Sequence, residues 1–461
     1  MLTFRTLAVM AGFSVTGVLF AGANGCSSTP SSGFGDGQNQ NGDGGPQNCG
    51  AFGDCKQENA DAHQCVNLEC AVHQCNGVST KVTGKIFDPA GKVPLYNVVV
   101  YIPNSPPKEV TSGATCDKCG STALNPVPKA VLTNEKGEFT IDGAPDGEQI
   151  PLVFQVGKWR RQMVVKVDPC RENRFDDPKV MHLPRSKAEG DMPQMAITTG
   201  GCDPFACLFS RLGIDNSEFT NPTGNGRVHV YKGTGGGDVQ GGGAPNPQTA
   251  LWNDTSSLKK YDIVLLSCEC DEHNETKSAA QKQAMRDYLN LGGRVFATHY
   301  HYTWFKNGPA DVAGLVNWGG GGSFATTFDI DQTFPKGKAM ATWLQNIGAT
   351  ATLGQIALTE TASDVGTVKP GAQRWISSGT GTGSESVKYF TFNAPVAAKV
   401  DDQCGRGVMS DIHVSGGLSA TTIPTTCGTT DLSPQERALE FLFFDLSSCV
   451  QDDKIPPIVP K

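Results

Sequence analysis

The stretch RVFATHYHYTWF, Arg294 to Phe305, runs from strand-forming residues into two histidines, His299 and His301, with one residue between them. If the backbone stays extended, that spacing projects both imidazoles to one face, where they can ligate a single metal ion. His413, Asp411 or Asp203 can supply a third ligand, and an open position would hold a water of lowered pKa for hydrolysis. Zinc or another divalent metal is the cofactor such a set would take, with His299, His301 and His413 as its ligands. Without metal, His299, His413 and Asp411 are candidate acid–base catalysts. Asp203, Glu269, His301, Tyr302 and Trp304 then become candidate contacts to a polar ligand. Aromatic residues here can stack on sugar faces or simply fill a core, and the histidines can simply hydrogen-bond at a strand end.

Two neighbouring motifs are weaker. Cys268, in LLSCECDEH, follows an apolar strand, but Ser and Glu flank it where a nucleophile elbow needs glycines, so a disulfide or a buried thiol is expected. Gly233 to Gly243 is glycine-rich but lacks the Gly-Lys-Ser/Thr of a phosphate loop and reads as a flexible loop.

The elements that must position these residues alternate strand and helix. Gln194–Thr199 is a short strand, and Pro204–Leu212 reads as a helix. YDIVLLS, 261–267, is a continuous apolar run of the kind buried in parallel sheets. Ser278–Leu291 is amphipathic and stopped by Gly292-Gly293. Gly405–Val414 is a further strand, and Ser433-Pro434-Gln435-Glu436 is a capping box with proline at the first helical position. This pattern predicts a doubly wound α/β domain over 190–461. Ligands of open parallel sheets bind beyond the carboxyl ends of the strands, which gathers Asp203, Cys268, Glu269, His299, His301, Asp411 and His413 on one rim.

Upstream, strand-rich runs between Lys81 and Val156, divided by Asn-Glu-Lys-Gly and Pro-Asp-Gly turns, predict a small antiparallel β-sandwich over 80–186. An insertion in it carries Cys116 and Cys119, read as a loop staple because turn-forming residues flank it on both sides. Lys158–Gln162 reads as an exposed strand of mixed charge. Residues 49–79, with Cys49, Cys55, Cys65, Cys70 and Cys75, read as a disulfide-stapled segment, and 26–48 as a Gly-rich tether spanning roughly 25 Å.

Residues 1–25 have the pattern of an export signal: Arg5, an apolar run too short to cross a membrane, then small residues. Ala23-Asn24-Gly25-Cys26 resembles a bacterial lipobox, which implies lipidation of Cys26 and anchoring to the outer membrane or cell surface. Sixteen cysteines in an exported chain should mostly pair. With Cys26 lipidated, fifteen remain, so at least one is left without an internal partner. A net charge of -8 with dispersed Lys and Arg excludes a nucleic-acid footprint.

TGKIFDPAGKVPLYNVVVYIP and VLTNEKGEFTIDGAPDGEQIPLVFQVGKWRRQ resemble the carboxypeptidase regulatory-like, transthyretin-type domain. That likeness implies an accessory sandwich grouped with carbohydrate-binding folds. YDIVLL, YLNLGGRVFATHYH and CGRGVMSDIHVS resemble the ThuA-like branch of the class I glutamine amidotransferase-like, flavodoxin-like fold. That resemblance implies roles for His299 and His413, with Ile412 standing where the family has Gly. Together they make carbohydrate binding without catalysis at the cell envelope the leading expectation. A hydrolase using the His299/His413 rim and a structural or adhesion lipoprotein are the alternatives.

Overall fold

The computed structural model describes residues 65–460 apart from 122–123, 321–324, 380–383 and 415–419. The signal, the tether, Cys26, Cys49 and Cys55 lie outside the described residues. Among the described residues no helix is long and apolar enough to cross a membrane.

The first strands are β1 (Lys81–Lys85), β2 (Val99–Tyr101), β3 (Val131–Leu132), β4 (Glu138–Asp142), β5 (Gly147–Val156), β6 (Trp159–Val167) and β7 (Glu172–Phe175). They form two small sheets, ordered β4-β1-β7 and β3-β2-β5-β6. In β4, Phe139 and Ile141 are buried while Thr140 and Asp142 face water, the period of a half-buried strand. Val82, Val100, Leu152 and Phe154 add to the shared apolar core. The pairing is antiparallel except that β7 runs parallel to β1, which departs from the all-antiparallel expectation.

The larger sheet has 12 strands among the described residues. It is built from β8 (Met195–Thr199), β9 (Phe219–Thr220), β10 (Val228–Lys232), then, after β11 (Asp238–Val239), which pairs elsewhere, β12 (Ile263–Leu266) and β13 (Arg294–Thr298). It continues with β14 (Val316–Trp318), β15 (Thr327–Ile330), β16 (Gln355–Ala357), β17 (Val365–Val368), β18 (Ala372–Ser378), β19 (Ser386–Ala394) and β20 (Gly405–Ser410). The centre, β10-β8-β12-β13-β20, is parallel, and strand order reverses between β8 and β12. From β20 outward, β19, β18, β15 and β16 add antiparallel strands. The molecule is therefore a mixed, strand-rich fold of several sheets with helices, and residues 190–461 include a broad antiparallel extension that the alternating pattern did not anticipate.

Helices cover both faces of the parallel centre. Ala279–Asn290 starts at the capping box of Ser278 and Gln281 and packs Ala284, Met285, Tyr288 and Leu289 on one face. Pro434–Ser447 starts at the expected box of Ser433 and Glu436. All of it after Pro434 is buried, because the sheet lies on one side and the small sheets on the other. Tyr96 stacks on Phe441, and Trp159 meets Phe443 and Phe444 edge-on. An all-round apolar helix such as ALEFLFFDL needs two such covers.

The contact between the two halves corrects two expectations. Lys158–Gln162 is not an exposed strand: Trp159 is buried, Lys158 pairs with Asp262 at 2.5 Å, and Arg160 pairs with Asp191 at 2.6 Å. The insertion is stapled, but its cysteines reach across to the other half, Cys116 to Cys404 and Cys119 to Cys449. Cys65–Cys70, Cys75–Cys170, Cys202–Cys270 and Cys207–Cys427 complete the described bridges.

Candidate metal centre

Beyond the carboxyl ends of β12, β13 and β20 the chain makes three turns, each delivering one side chain. After β12, Cys268 donates its backbone N–H to Thr298 Oγ1 at 2.9 Å, and the Cys202–Cys270 bridge ties the same turn to the end of β8. After β13, His299 takes φ 40°, in the left-handed region, and the chain passes into a tight helical turn over His299–Tyr302. A non-glycine residue held there at a strand-to-helix turn stores backbone strain of a kind that collects at functional sites. After β20, His413 is held through its backbone, its N–H donating to Glu360 O at 3.0 Å and its carbonyl accepting from Gln435 Nε2 at 2.6 Å.

The result is a cluster of Cys268, His299 and His413 whose ligating atoms lie within 4.8 Å of one another. Cys268 Sγ is 3.4 Å from His299 Nδ1, and the two imidazole centroids are 4.9 Å apart. Cys268 is the free cysteine among the described residues and is buried. Burial pushes its thiol up to about 11. Burial, helped by the neighbouring His413 and His301, pushes His299 down to about 3, and burial also lowers His413. All three groups are therefore neutral near pH 7. The thiol lies in hydrogen-bonding contact with His299 Nδ1, while His299 Nε2 faces Asp364 Oδ2 at 3.5 Å. His413 Nε2 is buried without a hydrogen-bond partner among the described residues.

Two carboxyl groups stand behind His299. The Asp364 N–H donates to Asp411 Oδ2 at 2.8 Å. Burial holds both above the usual carboxylate range, and the Asp364 charge raises Asp411 further, so the pair retains a proton more readily than isolated carboxylates do. Asp203 crosses from the end of β8, accepting the Val414 N–H at 3.1 Å; burial pushes it up to about 7.

The other candidates sit on the rim but are otherwise engaged. His301 does not share a face with His299, because the helical turn replaces the extended backbone. Its Nε2 donates to Ser267 O at 2.8 Å and its Nδ1 accepts from Trp304 Nε1 at 3.0 Å, leaving neither nitrogen for a metal. Trp304 is buried against Trp252 and fills core rather than presenting a face to sugar. Tyr302 is buried and donates to Glu272 Oε1 at 2.5 Å. Glu269 is paired with Lys277 at 2.7 Å and accepts the Thr234 N–H at 2.8 Å. That last bond belongs to the glycine-rich loop, which is pinned rather than loose: a Cβ at Gly233 or Gly236 would run into Thr199. Asp364 was missed by sequence reasoning, since SDVGTV carries no motif, whereas Cys268 was placed on the rim but not read as a ligand.

No family model matches this chain. No curated protein matches it in sequence either. Among solved structures, one described as "Crystal structure of SMU.1228c" shares 8% identity over 55% of this chain and 99% of that one, with a TM-score of 0.30, too slight a likeness to speak for fold or activity.

Proposed function

We propose that this chain is an exported envelope protein, anchored through lipid on Cys26, whose α/β part holds a transition-metal ion of the zinc type between Cys268, His299 and His413. The observation that carries the reading is that one buried thiol and two neutral imidazoles converge there. Tetrahedral metal bonds of this kind place neighbouring ligand atoms about 3.3–3.6 Å apart, and Cys268 Sγ and His299 Nδ1 already stand at 3.4 Å. The remaining atoms need to close by at most about 1.5 Å from the 4.8 Å limit. A metal would supply charge to deprotonate the Cys268 thiol and, with three protein ligands, an open position for water.

The chain's own groups then divide the work. Asp364 orients His299 through Nε2 and holds a carboxyl where a proton can be taken up; Asp411 fixes Asp364 by accepting its backbone N–H. Hydrolysis is the reaction class this arrangement favours. A nucleophilic Cys268 is disfavoured, since burial raises its thiol instead of exposing a thiolate. The strand order of the parallel centre supports a flavodoxin-like, glutamine amidotransferase-like sheet, and the two small sheets support a transthyretin-type sandwich. Carbohydrate binding rests on those family resemblances alone, because Tyr302 and Trp304 are committed elsewhere.

Cobalt titration tests the reading. Co²⁺ should produce an intense near-ultraviolet thiolate band with visible bands of tetrahedral cobalt, and Cys268→Ser should abolish the former. A colourless wild-type protein at saturating cobalt would refute it.

A further inference from the structure

The four-stranded sheet has two apolar faces, and only one of them belongs to the main core. Val100, Leu152 and Phe154 face that core, while the cross-strand row Leu132, Val99 and Gln155, with Tyr101 and Val153 beside it, faces the other way. Three segments pass over this second face: residues 105–111, the insertion around Cys119, and the C-terminal tail. They leave a cavity of about 470 Å³, space for roughly 15 waters at about 30 Å³ each.

Its walls are built in advance. Arg160 Nη1 donates to Lys108 O at 2.6 Å and Lys158 Nζ to Thr111 O at 2.8 Å, fixing the first segment. The Cys119–Cys449 bridge joins the insertion to the tail. Gln451 folds the tail by donating to Ile455 O and accepting the Ile458 N–H at 3.0 Å. On the floor, Gln155 Nε2 donates to Gly157 O at 2.8 Å, but its Oε1 is buried and accepts nothing among the described residues.

We infer that this cavity is a second binding site, for a small molecule with a hydrocarbon body. A preformed concave site with an apolar floor and few polar anchors is the usual form of a small-molecule pocket. A saccharide fits it poorly: the Gln155 Oε1 on the floor is buried out of reach, and its ring, Tyr101, is 1% exposed and cannot serve as a stacking platform. The site shares no residue with the Cys268 cluster and stands or falls apart from it.

The test is fluorescence titration of the native full-length protein with anilinonaphthalene sulfonate, followed by displacement with dodecanol. The inference expects saturable one-to-one binding displaced by dodecanol. Leu132→Trp and, separately, Val99→Trp fill the floor and should each weaken the probe at least tenfold, with near-ultraviolet circular dichroism showing that they fold. His299→Ala should change neither ligand. Absence of saturable binding, or full affinity in both folded tryptophan variants, overturns the site.

Discussion

Replacing Lys158 with Met tests how the two halves are joined. Lys158 Nζ uses its three donors on Asp262 Oδ1 at 2.5 Å, Thr111 O at 2.8 Å and Gly113 O at 2.8 Å. The side chains of Lys158 and Asp262 are 12% and 6% exposed. Lys158→Met keeps the aliphatic stem but leaves the Asp262 carboxylate buried with the Gln194 N–H at 2.6 Å as its remaining strong partner. Removing one member of a buried pair typically costs about 3–5 kcal/mol. Adding Asp262→Asn removes the stranded charge and should recover at least about 1 kcal/mol. The pH dependence has a definite sign. Burial already raises Asp262 above its ordinary value despite Lys158. Between the unfolded and folded pKa values the native state binds more proton, so stability falls as pH rises. Losing Lys158 raises the folded value further, so the penalty should be largest at neutral pH and shrink as pH falls into the carboxylate range. Denaturant unfolding at neutral and mildly acidic pH measures this. A loss under about 1 kcal/mol, or no recovery in the double variant, would contradict the interface role.

Three further outcomes follow from the site. His301→Ala strands the Trp304 indole N–H and Ser267 O, so it should cost about 2–4 kcal/mol in unfolding experiments while leaving metal content unchanged. Cys268, buried with its thiol pushed up to about 11, should resist alkylation in the native protein and react on denaturation, as peptide mapping would show; rapid native labelling would contradict its burial. Asp203, fully buried and pushed up to about 7, should make stability fall as pH rises from the carboxylate range through about 7, by up to about 4 kcal/mol, and Asp203→Asn should flatten that slope in unfolding measured across it.

Long, strongly patterned segments were legible in the sequence. IVLL in β12 is apolar throughout because both faces of the strand are covered, and the capping box at Ser433 marks a helix start wherever it occurs. The strands from β14 to β17 were not legible, being three or four residues long and so too short to show a period. Lys158 and Arg160 looked like surface charges because their partners, Asp262 and Asp191, are distant in sequence. At the site, assuming that the alternation of β13 continued past Thr298 placed His301 beside His299. The backbone leaves the strand at His299 itself, with no glycine or proline to mark the turn. Cysteine parity anticipated a thiol without an internal partner, and the strand ends put Cys268 on one rim with His299 and His413, but only the fold shows that Cys268 is the free one among the described residues and brings it within 4.8 Å of both histidines.

Metal content tests the central claim most directly. Purified wild-type protein and the His299→Ala/His413→Ala variant would be exposed to zinc, dialysed against a weak chelator and analysed for bound metal. The account predicts close to one transition-metal ion per wild-type chain and almost none in the variant. A wild-type protein without metal, or a variant that keeps it, would contradict the assignment of Cys268, His299 and His413 as a metal centre.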